Sequence, residues 1–574
     1  MGMVGSLRRR ILSVAPRSPW ALAPGLGELR GYRRDQLRPD LLAGITGAAV
    51  AIPAGLAMGE LAGLSPVAGL YATILPLVAY AMYTSSRQVM VGPDGTLAVL
   101  TASSVAPLAG GDPARYAALA AALALMVGVI LLLSAALRLG FMAEFLSVPI
   151  LVGYFNGIAL IIIASQLGKV FGLSLSADYF FGLVREFITE IGQIHWLTAM
   201  FSFILLGLVL VLKRVAPTFP GSLVAVVIGG VASVTLDLPE RGVTVVGDIA
   251  AGLPSLAVPD VALHDMSLLA LPAAGLALVA FVDTMANART YAKRNGYEVS
   301  ANRELAALGA SNIAAGFSRA MAISASGSRS ALNDASGGTS QVVGLVTAFV
   351  VAVVAAVATP LIAPVPTAVL GVVVIAAVLG MVDIRGVLRL RRVHPVEVGL
   401  ALATLLGVLI LGVLGGLLVA IGLSIGVYVY RSIRPHDAIL GALDDIDGYH
   451  DIEVFPAAHT VSGLIVYRFD AALYFPNARH FKERVLNLVS AADTPTRWVM
   501  INAEAITYID TTGMDTLREL RADLAAAGIK LTIARANVPL LAVLDSAGLA
   551  ADIGPENFFP TVRTGVRSFH ERAG

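Results

Sequence analysis

Two short stretches gather small, hydroxyl-bearing and charged residues inside an otherwise apolar chain: Gly92-Pro93-Asp94-Gly95-Thr96 and Ser324-Ala325-Ser326-Gly327-Ser328-Arg329-Ser330. Each opens an apolar run of about 15 residues or fewer, short of the roughly 20 that a spanning helix needs. Each follows a short apolar piece, Val89-Met90-Val91 and Met321-Ala322-Ile323. A helix that starts inside a membrane has unpaired N–H groups and a positive dipole end aimed at the bilayer centre. Two such ends facing each other make a cationic pocket out of backbone, suited to a small anion. Gly95, Thr96, Ser326, Gly327 and Ser328 are the candidate substrate ligands, because small residues let an anion approach N–H groups and hydroxyls donate further. The same Ser and Thr residues also suit helix capping. Arg329 either adds positive charge to the pocket or pairs with Asp94 or Asp334.

Asp283 lies within Leu276–Ala288, an otherwise apolar stretch. Intramembrane ionisable residues are costly and mark ion or proton pathways. Asp283 is therefore the candidate cation-coupling residue, taking up H⁺ or ligating Na⁺, with Asn287 four residues on along the same helix face. The structural alternative pairs Asp283 with Arg289 or a backbone donor. Asp94 would repel an anion unless protonated or paired, and Arg329 is the partner that would resolve this. Glu60 and Glu144 read as interfacial. The eight histidines show no metal-ligand spacing such as H-E-x-x-H, and the absence of cysteine removes thiolate chemistry and Cys-ligated metals. No cofactor is expected.

The elements that hold these residues are membrane helices. Of 574 residues, 57% are hydrophobic and 14% charged, where soluble proteins average about 25% charged. Apolar runs recur at 41–62, 66–83, 94–108, 115–137, 144–167, 196–212, 221–237, 267–288, 303–317, 328–337, 340–359, 365–381, 396–411 and 413–430, about fourteen segments. Matched short, broken segments roughly 230 residues apart point to two inverted halves of seven, with the site at the midplane. Arg30, Arg33, Arg34 and Arg38, the loop carrying Arg385, Arg389, Arg391 and Arg392, and the pair Arg431 and Arg434 place both termini in the cytoplasm by the positive-inside rule. The segment Arg8-Arg9-Arg10 to Arg17 reads as a basic tail rather than a cleavable signal. Residues 1–38 are then a cytoplasmic tail and 39–434 a transport domain. Residues 435–574, where strands alternate with helices, form a small α/β domain. Strands are expected at 463–469, 497–501 and 530–534, and helices at 478–489 and 514–527. A net charge of +1 without a basic stripe gives no reason to expect nucleic acid.

The sequence resembles the sulfate permease (SulP) family, bacterial relatives of the animal solute-carrier anion exchangers, over nearly its whole length after residue 35. The resemblance rests on Ile52-Pro53-Ala54-Gly55-Leu56-Ala57, Pro66-Val67-Ala68-Gly69-Leu70-Tyr71, Ser85-Ser86-Arg87-Gln88-Val89-Met90-Val91-Gly92-Pro93, and Ser328-Arg329-Ser330 with Gly337-Gly338-Thr339-Ser340-Gln341. The tail resembles a STAS domain, with Ile509-Asp510-Thr511-Thr512-Gly513 at its Asp-Ser-Ser-Gly-like loop. The resemblance implies alternating-access uptake of a small anion by a homodimer in the bacterial inner membrane. A mobile core of segments 1–4 and 8–11 would move past a gate of segments 5–7 and 12–14, with a cytoplasmic STAS domain tuning the rate. It also implies coupling through Asp283 and a charge contribution from Arg329. Sulfate ranks before bicarbonate and a dicarboxylate. Ala54 stands where many members have Gln, which puts the usual sulfate contact in doubt. Thr512 matches a position phosphorylated in some STAS proteins. Capping of the following helix by Thr512, with Asp515 three residues on, is the other reading.

Three other functions are open to such a chain. A nucleobase permease of the same fold would lack the STAS tail. An intramembrane aspartyl protease would use Asp94 and Asp283 as a dyad, although Gly-Pro-Asp departs from the Gly-x-Gly-Asp of such enzymes. A membrane-anchored signalling protein would not need so many spans.

Overall fold

A computed structural model describes residues 31–573, with Gly25 and Gly27, apart from 145–147, 176, 178, 217–218, 248–250 and 394. Most of the basic tail, including Arg8 to Arg10 and Arg17, and the side chain of Glu144 lie outside the described residues. The chain divides into two compact units, Met1–Ser424 and Ile425–Gly574.

The first unit is helical. Its elements are α1 (Arg34–Leu61), α2 (Pro66–Tyr83), β1 (Val91–Gly92), α3 (Gly95–Ala109), α4 (Pro113–Ala136), α5 (Val148–Phe171), α6 (Phe180–Thr189), α7 (Trp196–Val215), α8 (Gly221–Thr235), α9 (Leu263–Asn295), α10 (Ala301–Phe317), β2 (Ser324–Ala325), α11 (Gly327–Ala335), α12 (Val342–Val357), α13 (Thr367–Val378), α14 (Ile384–Val393) and α15 (Pro395–Ile433). Among the described residues, α1, α2, α4, α5, α7, α9 and most of α15 are long and apolar enough to cross a membrane; α3, α8, α12 and α13 are shorter apolar helices. Inside α15, Gly412 has φ 76° and ψ 176°, a conformation that ends one helix and starts the next.

Two helices depart from the expected loops. Arg385, Arg389, Arg391 and Arg392 sit on α14, not on an irregular connection. Alternating Ile384, Val387, Leu388 and Leu390 with arginines gives that helix one apolar and one basic side, as suits a membrane surface. The helix α6 is likewise amphipathic, and a ten-residue element of mixed polarity carries too weak an apolar signal to be read as a span.

The core is packed through small residues. A side chain on Gly69 would strike the carbonyl of Gly55, and one on Gly59 would come within 2.9 Å of Gly69 N, so α1 and α2 cross backbone to backbone. Two buried carboxylates of this unit are fully hydrogen-bonded, as the absence of water in a bilayer favours. Glu304 of α10 is fully buried. It accepts from Tyr80 Oη at 2.6 Å, Thr84 Oγ1 at 2.9 Å, Ser85 N at 2.8 Å and Ser85 Oγ at 2.7 Å. Asp40, also fully buried, accepts from Thr339 N, Thr339 Oγ1 and Ser340 Oγ.

The second unit contains a six-stranded sheet ordered β4-β3-β5-β6-β7-β8. Its strands are β3 (Asp437–Ala442), β4 (Tyr449–Asp451), β5 (Leu464–Phe469), β6 (Trp498–Asn502), β7 (Lys530–Ala534) and β8 (Phe558–Phe559), and its helices α16 (Ala478–Ser490), α17 (Thr511–Ala526), α18 (Val538–Ser546), α19 (Leu549–Ile553) and α20 (Val562–Ala573). Strands β5 to β8 are parallel and β3 is antiparallel to both neighbours. Helices α16 to α19 pack on one face through Phe481, Leu520, Leu544 and Leu549. The other face is covered by α20 through Val562, Val566 and Phe569. The strands and helices expected here are present. The expected start of the second helix moves from 514 to Thr511, because Asp510 caps it earlier.

Candidate functional site

The two short segments meet. Strand β1 pairs antiparallel with β2, Val91 opposite Ala325 and Gly92 opposite Ser324, and Ser326 N donates to Met90 O at 2.8 Å. Val89, Met90, Val91 and Ile323 are at most 1% exposed, so apolar side chains bury the crossing while its backbone groups satisfy each other. From this ribbon, α3 and α11 depart. Asp94 caps α3, its Oδ2 accepting from Thr96 N at 2.9 Å. Ser326 caps α11, accepting from Arg329 N at 3.5 Å. Ser330 Oγ accepts from Met90 N at 2.9 Å, Asn333 Nδ2 donates to Gln88 O at 2.9 Å, and Gln341 Nε2 donates to Ser86 O and Val89 O. The resemblance motifs at 85–93 and 328–341 are therefore two sides of one hydrogen-bonded joint.

Both helix starts open on a cavity of about 780 Å³. Gly95, Thr96, Ser326, Gly327, Ser328, Asp283 and Asn287 all line it, with Asp94 and Ala54. Gly327 and Ser328 are exposed to it, whereas Thr96 is 3% exposed and its Oγ1 has no hydrogen-bond partner. An unpartnered buried hydroxyl is costly. Farther out the walls carry Lys213, Ala335, Gly380 and Asp383, all exposed. Val148, Leu151, Val152 and Phe155 of α5 form an apolar side.

Arg329 does not line the cavity. It is 2% exposed and lies behind the joint, Nη2 donating to Pro93 O at 3.0 Å while Nε and Nη1 have no partner. Gly92, at φ 151°, makes room: a side chain there would sit 2.8 Å from Nη2. The alternative pairing with Asp334 is overturned, since Asp334 is held by Arg294 at 2.8 Å and Asn295 at 2.9 Å. No ion pair joins Arg329 to Asp94 within 4 Å among the described residues; Asp94 spends a carboxylate oxygen on its cap.

Asp283 faces the same cavity from α9. Its Oδ2 accepts from Ser324 Oγ at 3.2 Å and its Oδ1 from Asn287 Nδ2 at 3.2 Å. Asn287 and Asp283 share a helix face, as their spacing requires. Thr284 Oγ1 accepts from Ala325 N at 3.2 Å, fixing α9 to β2. Glu60 is more than interfacial: its Oε1 lies 2.8 Å from Lys169 Nζ.

In the second unit, Asp510 and not Thr512 caps α17. Its Oδ1 accepts from Gly513 N at 2.7 Å and its Oδ2 from Phe475 N at 2.9 Å. Thr512 falls within the first turn and is exposed, so the capping assignment at Thr512 is corrected by two residues. Sequence reasoning also passed over Ser330, Asn333, Gln341, Glu304, Lys169 and Lys213. The first three lie inside or beside the motifs quoted above; Glu304 sits in the first turn of α10 and Lys169 and Lys213 in the last turns of α5 and α7, where a charge carries no signal of function in sequence.

Comparison with known proteins bears on this arrangement. The sulfate permease family model matches residues 37–404 and a STAS domain model matches 455–565. A Mycobacterium tuberculosis protein named "Probable sulfate transporter" is 44% identical over 550 residues, covering 96% of this chain and 98% of that protein. "Probable sulfate transporter 4.2" of Arabidopsis thaliana is 31% identical, covering 95% of this chain and 83% of the relative. Among solved structures, murine solute carrier 26 family member A9, an anion transporter in the inward-facing state, superposes with a TM-score of 0.89 at 23% identity over 96% of this chain and 94% of that one. The transmembrane domain of the cyanobacterial bicarbonate transporter BicA superposes at 0.60, with 24% identity, over 68% of this chain and 98% of its own length. These two likenesses are of fold. Family membership makes the protein a transporter and not a protease. With both parts matched in order and a relative 44% identical end to end, the chain belongs to the sulfate permease family and carries a C-terminal STAS domain.

Proposed function

We propose that this protein takes up a small anion, sulfate first, by cation-coupled alternating access. The observation that carries the reading is the pair of helix starts, α3 and α11, that leave one antiparallel joint and open on one cavity. The anion would sit against the backbone N–H groups and hydroxyls at Gly95, Thr96, Ser326, Gly327 and Ser328, where helix dipoles favour negative charge. Arg329 would act from behind the joint as a fixed positive charge. The sulfate transporters among the relatives support this substrate; bicarbonate is the second candidate, since Ala54 contributes no side-chain donor.

Charge balance supports the coupling. Among the described residues, the cavity is lined by Asp94, Asp283 and Asp383 against one lining cation, Lys213. An anion entering beside Asp94 and Asp283 is repelled unless a positive charge enters too. Asp283 receives two hydrogen-bond donors, Asn287 Nδ2 and Ser324 Oγ. Both donors favour the ionised carboxylate, so Asp283 stands as a negative charge for the cation, H⁺ or Na⁺, that enters with the anion.

The exposed end of the cavity lies at Gly380 and Asp383, beside the arginines of α14. Positive-inside reasoning makes that end cytoplasmic, so this is an inward-facing form. On this reading the protein sits in the bacterial inner membrane as a homodimer, residues 39–434 transporting and 435–574 forming the cytoplasmic STAS domain. Liposome uptake of labelled sulfate, bicarbonate and fumarate under imposed pH or Na⁺ gradients tests it. Sulfate uptake driven by an inward H⁺ or Na⁺ gradient is expected. Uracil uptake without anion uptake would overturn the reading in favour of a nucleobase permease.

A further inference from the structure

Among the described residues, the cavity lining is exposed at Gly380 and Asp383 and buried at Met58 and Val378, where two layers close it. The helices α1 and α5 form facing walls, α1 through Ala54 and Met58 and α5 through Val148 to Phe155, while α13 contributes Ala377 and Val378. Directly above the start of α3 the three helices converge. A side chain on Gly95 would meet Ile162 Cδ1 at 3.2 Å, Met58 Sδ at 3.7 Å and Val378 Cγ2 at 3.7 Å. Met58, Ile162 and Val378 are at most 4% exposed, so they form an apolar plug.

Seven residues beyond Ile162, about 10 Å along α5, Lys169 Nζ meets Glu60 Oε1 of α1 at 2.8 Å. Both side chains are about a quarter exposed, at 27% and 22%. The stem of Lys169 rests on α13, where a side chain on Gly371 would touch its Cβ at 3.4 Å. The second oxygen of Glu60, Oε2, is buried without a partner. The pair thus joins the same helices that must part if the cavity is to open at this end.

We propose that Glu60 and Lys169 are a conformational lock of the outer gate: joined while the cavity faces the cytoplasm, and separated when the Met58–Ile162–Val378 plug opens. The inference rests on the alternating-access reading above. The chemistry suits a reversible lock. Separation hands both charges to water, where an exposed pair is worth little, and it frees the orphaned Glu60 oxygen to be solvated. A fully satisfied buried carboxylate, such as Glu304, could not let go so readily.

The chain has no cysteine, so a single A331C on the cavity wall is a clean reporter. Its labelling by a polar maleimide in nanodiscs reads the inward-facing fraction. Both E60Q and K169Q should slow labelling roughly three- to tenfold, as the population shifts toward the outward-facing form. The conservative K169R should label like the parent protein, and the swap E60K/K169E should recover most of the rate. Unchanged labelling in both single variants, or slowing by K169R equal to that by K169Q, would overturn the lock. Sulfate uptake by the parent protein in liposomes reports separately on transport: slowed labelling with no parental uptake would leave the lock standing and remove the transport reading.

Discussion

Replacing Gly327 with Ala tests the site with a single methyl group. Gly327 is the first residue of α11 and is exposed to the cavity. An added Cβ would have one close neighbour, Asn287 Oδ1 at 3.3 Å, which needs to give by only a few tenths of an ångström. The backbone there is not in the left-handed region, so G327A should fold at least as well as the parent, gaining about 0.5–1 kcal/mol from the lost chain entropy of glycine. The methyl nevertheless occupies the approach of an anion to the α11 N–H groups. Losing one charge-assisted hydrogen bond costs about 1.5–3 kcal/mol, which at 1.4 kcal/mol per tenfold raises KM for sulfate roughly 10- to 100-fold. The control is G207A on α7, where an added Cβ meets nothing within 4 Å and KM should stay put. Liposome uptake kinetics and thermal unfolding of the same preparations give both readings. A G327A protein whose stability is intact and whose KM lies within about twofold of the parent would refute binding at the α11 start.

The variant D283N should keep sulfate–sulfate counterflow but lose uphill uptake. Where the parent responds to each pH unit with up to about tenfold accumulation per proton coupled, the variant should show no response, and a parental response in D283N would exclude this carboxylate as the coupling site. In E304A, the hydroxyls of Tyr80, Thr84 and Ser85 and the N–H of Ser85 lose their acceptor. At about 1–3 kcal/mol for each buried orphan, the variant should unfold at markedly lower temperature, with E304Q falling between it and the parent. In the STAS domain, hydrogen bonds to Asp523 and Glu519 push the Lys482 ammonium up from its ordinary value. Its contribution is therefore complete below the pKa of free lysine and is lost as pH rises through the folded value. Because both carboxylate partners are exposed, K482M should cost less than about 1 kcal/mol, and added salt should shrink the difference.

Much of the first unit was legible because lipid imposes a strong rule on sequence. Long apolar runs became α1, α2, α4, α5 and α7, and the break expected between 411 and 413 is the turned backbone of Gly412. The paired short segments were legible for the same reason: a run too short to span must start from somewhere inside. What the sequence did not show was the partner of each polar group. Asp334 could face Arg329 or Arg294 from spacing alone, and only packing brings it to Arg294. The same holds for Glu60, whose partner Lys169 lies 109 positions away in the chain. In the STAS domain, β5 and β6 announced themselves by apolar alternation and burial. Strand β4, with three residues, and β8, with two, owe their existence to the neighbour each pairs with and carry too little pattern of their own.

The stitching of β1 to β2 bears on which way cargo can travel. Backbone bonds between Val91–Gly92 and Ser324–Ala325, backed by Ser326 to Met90, tie the two helix starts to each other. On the proposed reading, the binding site would then pass between the compartments as one body, and a ligand would meet the same backbone donors whichever side it entered from.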